Sequence, residues 1–385
     1  MIIPSLPLQG IFVLDLSQFL AGPYASLRLQ DLGARVIKVE RPVVGDLCRS
    51  LYLSDTMING ESTIFHAINR GKESIALDLK NADDLTKLKT LIQKADILIQ
   101  NFRPGVIERL GLDYDSVRTI APRLVYCSIS GYGPRGLWAG LPGQDLLAQA
   151  RSGIMWLNGS AGDGPVPFGL AVADMLAGAN AAHGILAALY RSLRSGQGAH
   201  VETSLLESLV DLQFEVLATY LNGGGRPPER AAFRSAHSGL AAPYGVYETL
   251  DGWMALAMTP IETLVPLLNA PGLDYFANQP TFWFQKRDEI KRCLASRLIQ
   301  KTTAEWLALL EPHDIWCAKV LDWPELLSHP AFQELGQLQT VKTTKGQEIQ
   351  LTKSPIRING ARGGSDLAAP SVGEQTFSIL QEFMS

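Results

Sequence analysis

IFVLDLSQFLAGPYASLRLQDLGARVIKVE, residues 11–40, is the stretch of this chain that most clearly indicates its fold. Its apolar run Ile11–Leu16 predicts a buried strand, and residues 34–40 predict a second one. Between the two, Gly22-Pro23 interrupts the chain and residues 24–32 predict a helix. The order strand, helix, strand is the repeating unit of a doubly wound parallel sheet, so we expect an α/β fold.

Glu40 ends the second of these strands, where a dinucleotide-binding fold places the acidic residue that binds a ribose. The turn after the first strand, Ser17-Gln-Phe-Leu-Ala-Gly-Pro23, lacks the G-x-G-x-x-G pattern that lets a pyrophosphate approach the backbone. We therefore expect no nicotinamide cofactor.

The alternation of strands and helices continues through the first half of the chain. Further strands are predicted at residues 74–79, 96–100, 124–130 and 199–203, and further helices at 82–95, 173–194 and 205–221. A stretch rich in Gly and Pro at 222–228 then predicts a domain boundary. Beyond it, residues 244–257 predict a β-hairpin that turns at Asp251-Gly252, followed by two or three helices before residue 310 and a last helix at 371–383.

Composition limits the classes of partner. With a formal net charge of −4 and 46% hydrophobic residues, the chain is globular and its charge gives no reason to expect a nucleic-acid or membrane partner. The four widely spaced cysteines form no C-x-x-C pair, which predicts no metal site and suits a reducing compartment. The amino terminus has no recognisable secretory leader and no apolar run reaches the ~18 residues of a membrane span, so we expect a cytoplasmic protein.

Asp174 lies where an extended apolar run, residues 166–172, changes into a helix of small residues. At a helix amino terminus the dipole favours a negative charge, so we expect this carboxyl to be ionised. An ionised and positioned carboxylate can attack an activated acyl group and carry it covalently. The alternative is that Asp174 serves only as a helix N-cap, for which Asp is a favoured residue.

Basic residues lie at the ends of successive predicted strands. Because the carboxyl ends of parallel strands face the ligand crevice, we expect these side chains to converge on a ligand with several phosphates. The five residues are Arg41, Arg70, Lys72, Arg103 and Arg109. Any one of them alone is also compatible with a solvated surface residue.

In the order and spacing of its motifs, the chain resembles the class III CoA-transferases, whose fold the α-methylacyl-CoA racemases share. The motifs are Ala21-Gly-Pro23, residues 32–42, Asn69-Arg-Gly-Lys72, Asn101-Phe-Arg-Pro-Gly105, Gly143-Gln-Asp145, the segment around Asp174, Gly196-Gln-Gly198 and Pro243-Tyr-Gly245. The resemblance implies an enzyme that moves CoA from an acyl-CoA to a free carboxylic acid, with CoA as a substrate and no tightly bound cofactor. It implies a Rossmann-like large domain with a parallel sheet built from both chain ends (1–222, completed by about 335–385), a small α+β domain (223–334) and an interlocked homodimer.

The resemblance also implies roles for single residues. Asp174 occupies the position of the family's nucleophilic aspartate, which forms an acyl anhydride and then a CoA thioester. The positions that match the family's CoA site are Arg41, Asn69, Arg70, Lys72, Asn101, Phe102, Arg103 and Arg109. The candidate residues of the substrate pocket are Leu20, Gln144, Asp145 and His237. Arg151 or Arg234 would pair with the distal carboxylate of a dicarboxylic acid, and the alternative is that both are ordinary surface residues.

Two alternatives stay open. A racemase needs a proton-transferring group on each face of the α-carbon, and the racemase pattern has a His-Asp pair where this chain has Gln144-Asp145, whose amide cannot transfer a proton. A CoA-binding relative without catalysis is the other alternative, and the presence of Asp174 with the full basic set argues against it. Asp145 either orients groups near Asp174 or only caps the helix that begins at Leu146.

Overall fold

Two compact units make up the chain in a computed structural model that describes residues 6–51, 53 and 55–384. The first unit comprises Met1–Ala148, Ala171–Leu209 and Gln333–Ser385, and the second comprises Gln149–Leu170 and Val210–Phe332. The second unit thus includes residues on both sides of position 222, and the domain limits given above stay a prediction. Residues 1–5, on which the expectation about the amino terminus bears, lie outside the described residues.

The elements are numbered in chain order. The strands are β1 (Phe12–Asp15), β2 (Arg35–Glu40), β3 (Met57–Ile58), β4 (Glu61–Ser62), β5 (Glu73–Ala76), β6 (Ile97–Gln100), β7 (Val125–Ser130), β8 (Ala199–Ser204), β9 (Gly245–Glu248), β10 (Trp253–Leu256), β11 (Cys317–Lys319), β12 (Leu338–Lys342), β13 (Glu348–Thr352), β14 (Arg357–Ile358) and β15 (Ala361–Arg362). The helices are α1 (Ala21–Asp31), α2 (Thr63–Asn69), α3 (Ala82–Lys94), α4 (Val106–Arg109), α5 (Tyr114–Ile120), α6 (Asp145–Ser152), α7 (Val172–Ser195), α8 (Leu205–Leu212), α9 (Phe214–Asn222), α10 (Ile261–Leu268), α11 (Asp274–Ala277), α12 (Pro280–Gln285), α13 (Arg287–Leu298), α14 (Thr303–Leu310), α15 (Trp323–Ser328), α16 (Pro330–Leu335) and α17 (Thr376–Met384).

The first unit is built on a six-stranded parallel sheet in the order β5-β2-β1-β6-β7-β8. Counted within the sheet, this is the order 3-2-1-4-5-6 of doubly wound folds, whose ligand crevice lies outside the carboxyl ends of the strands where the order reverses. The reversal lies between β1 and β6, which pair from Val13 with Ile97 to Asp15 with Ile99. The expected α/β fold with a large parallel sheet is confirmed.

Both chain ends contribute to the first unit, but among the described residues all six strands of this sheet come from positions 12–204. The carboxyl-terminal end adds α17, whose Ile379 is fully buried in the core and whose Phe383 ring stacks on Phe12 at 5.2 Å between centroids. The expectation of a sheet built from both ends is therefore corrected to a sheet whose strands lie between positions 12 and 204, with a helix from the carboxyl-terminal end packed on it.

α7 has 24 residues and is long and apolar enough, by composition, to cross a membrane, which differs from the expectation that no such run exists. Its buried face packs against α1, β7 and β8 inside the first unit, as a core helix does. Glycines permit the close contact: a Cβ on Gly178 would lie 2.5 Å from the carbonyl oxygen of Ala21, and one on Gly184 would lie 2.6 Å from Val201. The helix α7 therefore touches the backbone at the start of α1.

The second unit has a core of its own. Its antiparallel sheet β11-β10-β9 and the helices α10–α14 enclose the fully buried Trp306, Tyr247 and Met254. The predicted hairpin is confirmed, since β9 pairs with β10 from Gly245 to Glu248. Five helices lie between residues 260 and 310 instead of two or three, because Asn269 in the left-handed conformation ends α10 and Pro280 starts α12.

Two of the predicted helices differ from the helices in the structure. Gly22-Pro23 does not interrupt the chain, because Pro23 lies in the first turn of α1, where its missing N–H removes no helical hydrogen bond. Gly22 is required there, since a Cβ would lie 2.2 Å from that of Ser17. The helix predicted at 205–221 is divided at Gln213 into α8 and α9.

Candidate active site

Asp174 lies in the first turn of α7, three residues after the helix N-cap Ala171. It is therefore not the cap, and the residues before the helix form a loop instead of the extended run expected. Gly178, one turn further along the same side of α7, touches the start of α1, so Asp174 lies beside that helix end. α1 follows β1 and α7 precedes β8, so both helices begin at the carboxyl edge of the parallel sheet, where such folds bind ligands.

The capping group of α7 comes from another helix. Ala171 has no side chain that can accept a hydrogen bond, and the first N–H groups of a helix lack partners within it. Oδ1 of Asp145, in the first turn of α6, accepts the N–H of Ala173 at 2.7 Å and the N–H of Asp174 at 3.2 Å. Of the two roles considered for Asp145, these contacts favour the one that orients the residues at Asp174, and Asp145 is itself the first residue of α6.

The Asp174 carboxyl is half-buried, and among the described residues no hydrogen bond to it is found. Burial and the negative charge of Asp145 raise the pKa of Asp174 from 3.8 to about 7. Desolvation and the charge of Asp145 thus act against the helix dipole, which was expected to keep this group ionised. Near pH 7 the group is divided between the acid and a carboxylate that is available as a nucleophile.

Two glycines fix Asp145 at the end of β7. Gly131 directly follows this strand and Gly143 precedes Asp145 by two residues; a Cβ on either would lie 2.4 Å from the Cα of the other, so the two backbones touch. The Tyr132 hydroxyl also donates to the Pro142 carbonyl at 3.2 Å. The start of α6, and through Asp145 the start of α7, is thus attached to the carboxyl edge of the sheet.

A groove of about 340 Å³ lies at the carboxyl ends of β1, β2, β5 and β6. Its lining residues are Leu16, Gln18, Val39, Glu40, Arg41, Leu77, Asp78, Leu79, Lys80, Phe102, Val106, Arg109 and Leu110. Leucine, valine and phenylalanine side chains provide apolar surface, and the exposed cations Arg41, Lys80 and Arg109 provide positive charge. The volume is that of a small-molecule site, and the lining suits a flat ring joined to phosphates.

The groove brings together Arg41, Phe102 and Arg109 of the predicted CoA site, while Arg103 is exposed outside its lining. The side chain of Asn101 supports the groove by bonding the backbone of Gln18, a lining residue. Its side chain accepts the N–H of Gln18 at 2.8 Å and donates to the carbonyl of Gln18 at 2.7 Å. Both amide functions of Asn101 are thus used to hold a residue of the groove wall.

The next residue of this loop, Phe19, is held in the left-handed region with φ of 64°. The N–H of Phe19 donates to Asp46 at 3.1 Å, and Lys38 donates to the carbonyl of Ser17 at 2.8 Å. A bulky residue adopts this conformation only where surrounding groups impose it, and such strain is concentrated at functional sites. The Phe19 side chain is nonetheless 45% exposed, so packing of the ring does not explain the strain.

Lys72 and Asn69 of the predicted CoA set are buried and bonded to the protein. Lys72 Nζ donates to Asp15 at 3.0 Å, to the Pro23 carbonyl at 2.9 Å and to Asn69 Oδ1 at 2.8 Å. These three acceptors use all three N–H groups of an ammonium, so none is left for a phosphate. The amide of Asn69 in turn donates to the Phe65 carbonyl at 3.1 Å.

Arg70 is also buried, 2.7 Å from Asp31, at the end of α1. Beside it, the N–H of Gly71 donates to the carbonyl of Leu367 at 3.0 Å, which joins this segment to the carboxyl-terminal part of the unit. The expectation that all five basic side chains face the crevice is therefore corrected: Arg70 and Lys72 connect core segments. Their role in CoA binding, with that of Asn69, stays a prediction.

Glu40 occupies the position of a ribose-binding acid, but its carboxylate already has partners. Arg49 lies 2.7 Å from it and the Ser74 hydroxyl donates to it at 2.6 Å. Burial alone would raise its pKa, but Arg49, Lys38 and Ser74 together hold the pKa of Glu40 below its usual value. Glu40 is therefore a structural anion that supports the groove wall.

The remaining candidates of the first unit lie near the helix starts. Leu20 is the N-cap of α1 and is half-buried against the cluster of Leu27 and Phe65. Gln144 is exposed, next to Asp145. Both positions flank the edge of the sheet where Asp174 lies, and their contact with a substrate stays a prediction.

His237 and Arg234 lie in the second unit. The N–H of Gly239 donates to His237 Nδ1 at 3.0 Å, so Nε2 carries the proton and donates to Glu215 at 2.5 Å. An Arg234 guanidinium nitrogen lies 3.4 Å from a carboxylate oxygen of Glu248. The Cζ of Arg234 lies over the Trp253 ring, 4.5 Å from its centroid. Arg151, at the end of α6, is exposed.

The lining also contains the exposed carboxylate of Asp78, and two further polar residues of the groove, Gln18 and Lys80, escaped the sequence reasoning. Each follows a strand end, two residues past Leu16 and one past Leu79. The same rule that selected Arg41 and Arg109, polar residues just beyond a parallel strand, would have selected them.

The fold and these features define an α/β protein of the Rossmann-like class, with a basic groove and a carboxyl of raised pKa at the carboxyl edge of its sheet. The sequence model of CoA-transferase family III matches residues 8–376, and the chain belongs to this family. Like the curated relatives of the family that it matches, it is a CoA-transferase.

Relatives and a solved structure match nearly the whole chain. Succinyl-CoA:glutarate CoA-transferase of Mus musculus is 33% identical over 98% of this chain and 86% of its own length. Succinate–glutarate CoA-transferase of Agrobacterium fabrum is 33% identical over 98% of this chain and 95% of its own. The crystal structure of a CAIB/BAIF family protein from Brucella suis, 30% identical, superposes with a TM-score of 0.82 over 98% of this chain and 100% of that one.

Proposed function

We propose that Asp174 is the nucleophile that carries CoA between two carboxylic acids. The observation that supports this most directly is the carboxyl itself, half-buried at the carboxyl edge of the sheet and without a hydrogen bond among the described residues. A carboxyl with a pKa of about 7 gives a more basic, and hence more nucleophilic, carboxylate than an ordinary Asp.

The reaction consists of four acyl transfers at this one group. The Asp174 carboxylate attacks the thioester carbonyl, the C–S bond breaks, and CoA leaves as a thiolate from a mixed anhydride. The thiolate attacks the aspartyl carbonyl of the anhydride, which releases the donor acid and leaves an aspartyl-CoA thioester. The acceptor carboxylate then displaces CoA, and the thiolate attacks the acceptor carbonyl, which restores the Asp174 carboxylate without net proton transfer.

We propose that the groove binds the adenosine and phosphates of CoA. The apolar surface around Phe102 suits the base, and Arg41, Lys80 and Arg109 supply cations for the phosphates. Asn101 keeps Gln18 in the groove wall through its two hydrogen bonds. The buried residues Asn69, Arg70 and Lys72 then act by fixing the segments that carry the groove, and Arg103 adds positive charge beside it.

We propose dicarboxylic acids as the substrate class, with succinyl-CoA as the donor. The support is the similarity to the succinyl-CoA:glutarate and succinate–glutarate enzymes, which extends over nearly the entire chain. Arg151 and Arg234 are the candidate partners of a second carboxylate.

We propose further that the enzyme works in the cytoplasm as an interlocked homodimer. Large apolar side chains are exposed on both units, which is typical of a surface covered by a partner. In the first unit Tyr190 and Leu193 on α7 are 62% and 59% exposed; in the second, Phe214 on α9 and Trp323 on α15 are 69% and 80% exposed.

The nucleophile is tested by incubating the enzyme with succinyl-CoA and no acceptor acid, followed by peptide mass spectrometry with and without hydroxylamine. We expect an adduct on the peptide that contains Asp174, converted to the hydroxamate by hydroxylamine. The isosteric variant Asp174→Asn should give no adduct and less than a tenth of the wild-type rate of transfer to glutarate. A labelled Asp174→Asn protein, or an adduct on another carboxylate, would contradict the assignment.

A further inference from the structure

The cap of α7 connects the side chain of Asp145 with the backbone of Asp174. Asp145 and Asp174 are 29 residues apart in sequence, yet one oxygen of Asp145 accepts both the Ala173 and the Asp174 backbone N–H. The N-cap residue of α7 cannot accept these hydrogen bonds with its side chain, because it is Ala171. The orientation of the first turn of α7 therefore depends on a side chain that enters from α6.

We propose that Asp145 is the positioning residue of the active site: by bonding the backbone of Ala173 and Asp174, it holds the Asp174 side chain where it can reach the acyl carbon. The proposal rests on the proposed nucleophilic role of Asp174. Asp145 can hold this turn in place because its own position is fixed: Gly143, two residues before it, is in backbone contact with Gly131 at the end of β7. Misplacement of a nucleophile by about 1 Å is enough to lose roughly 100-fold in rate.

A carboxylate does more at this position than a neutral cap would do. Asn can supply the same oxygen to the two N–H groups, but only Asp places a negative charge beside Asp174. That charge adds to burial in raising the pKa of Asp174. On α1, the helix packed against α7, the charged residues Arg28 and Asp31 lie 3.1 Å apart, and Arg70, which follows α2, lies 2.7 Å from Asp31. Asp145 therefore combines a geometric role with an electrostatic one.

The two roles are separated by comparing Asp145→Asn with Asp145→Ala. Asp145→Asn retains the capping oxygen and should keep kcat above pH 8 within about threefold of wild type, while the acidic limb of its pH profile moves down by about one pH unit. Asp145→Ala loses the cap and should lose kcat by roughly 100-fold, with KM for succinyl-CoA changed little. A residue that only stabilised the fold would lower the melting temperature and leave the acidic limb in place.

A readout independent of activity distinguishes failure of this inference from failure of the proposed function. Carbon-13 NMR of labelled aspartate, with Asp174→Asn to assign the resonance, measures the pKa of Asp174 in each protein. A lower pKa in Asp145→Asn than in wild type supports the electrostatic role even if no covalent adduct forms on Asp174. An unchanged pKa in Asp145→Asn, or an unchanged kcat in Asp145→Ala, would overturn the proposal.

Discussion

Lys72 Nζ lies 3.0 Å from Asp15 Oδ2, and both side chains are completely excluded from solvent. Asp15 is the last residue of β1, and Lys72 directly precedes β5, which lies two strands away in the sheet. Burial alone would raise the pKa of Asp15, but Lys72 and Lys38 hold it well below its usual range. The pair therefore joins two strand ends under the loop that leads into α1.

We expect Lys72→Met to destabilise the protein by about 3–5 kcal/mol, because a buried carboxylate loses its ion-pair partner. Urea denaturation measures the change. Lys87→Met, which removes the exposed pair with Asp84 at 2.8 Å on α3, is the matched control and should have little effect. Because Lys72 is proposed to act on the groove only by fixing its segments, the folded fraction of Lys72→Met should lose less CoA affinity than Arg41→Ala; normal stability with weakened CoA binding would instead give Lys72 a direct contact with the ligand.

The burial of Lys72 and Arg70 illustrates which parts of the site the sequence could not predict. The strands and the doubly wound fold follow from local apolar runs, and the groove residues Arg41 and Arg109 follow from their places just beyond strands. Whether a cation reaches solvent depends on partners far away in the chain: Asp15 for Lys72 and Asp31 for Arg70. A local pattern carries no information about such pairs.

The same limit applies to the nucleophile. The helix start near Asp174 was predictable from its small residues, but its pKa was predicted in the wrong direction. The dipole argument uses only the helix itself, whereas desolvation and the charge of Asp145 come from the tertiary structure. The sequence does contain one signal: the N-cap residue Ala171 has no side-chain oxygen, so the cap of α7 must come from elsewhere in the chain.

We expect Arg109→Ala and Arg41→Ala each to weaken CoA binding by about 1.5–3 kcal/mol, the loss of a hydrogen bond to a charged group. Isothermal titration calorimetry with CoA and with pantetheine separates the contacts, because pantetheine lacks the adenosine and its phosphates. Pantetheine affinity should not change. Arg118→Ala removes an arginine that is 60% exposed on α5, away from the groove lining, and is the control for net charge. Equal losses in all three variants would mean that the groove is not the phosphate site.

We expect Asp174→Asn to be more stable than wild type at pH 8 and to lose this advantage as the pH falls. The folded-state pKa of about 7 lies above the ordinary aspartate value of 3.8, so between about pH 4 and 7 the folded protein keeps a proton that the unfolded chain has lost, and the wild-type protein loses stability as the pH rises through this range. The shift corresponds to about 4 kcal/mol at most. Melting temperatures of both proteins between pH 4 and 8 measure the difference.

Asp113→Asn is the control with the opposite sign. Hydrogen bonds from Ser116 lower the pKa of Asp113 despite its partial burial, so its carboxylate stabilises the fold above its unfolded-state pKa. Asp113→Asn should be less stable than wild type at pH 8, and the two should converge as the pH falls through the folded-state pKa. A pH-independent gain in Asp174→Asn would contradict the raised pKa.

We expect Phe19→Gly to be more stable than Phe19→Ala by about 1 kcal/mol, since only glycine adopts a φ of 64° without steric cost. Both variants delete the aromatic ring, so their difference isolates the backbone strain. At Lys89, an exposed position inside α3, the order should reverse and the Gly variant should be the less stable. Urea denaturation of the four variants provides the measurement; identical stabilities of the two Phe19 variants would show that the loop carries no strain.

Gln144 provides the test that separates CoA transfer from racemisation. A racemase exchanges the α-hydrogen of a 2-methylacyl-CoA with solvent and needs no acceptor acid, because one group removes the proton and another returns it on the opposite face. Gln144 is exposed beside Asp145, and its amide does not act as an acid or a base near neutral pH. In heavy water we therefore expect CoA to pass from succinyl-CoA to glutarate, and 2-methylacyl-CoA to gain no deuterium at its α-carbon, both measured by mass spectrometry.

Gln144→His supplies the missing imidazole and is the informative variant: deuterium uptake that appears only with this substitution would show that the amide is what prevents exchange. Rapid uptake by the wild-type enzyme without an acceptor would contradict the transfer mechanism, and a protein that only binds CoA would show neither reaction.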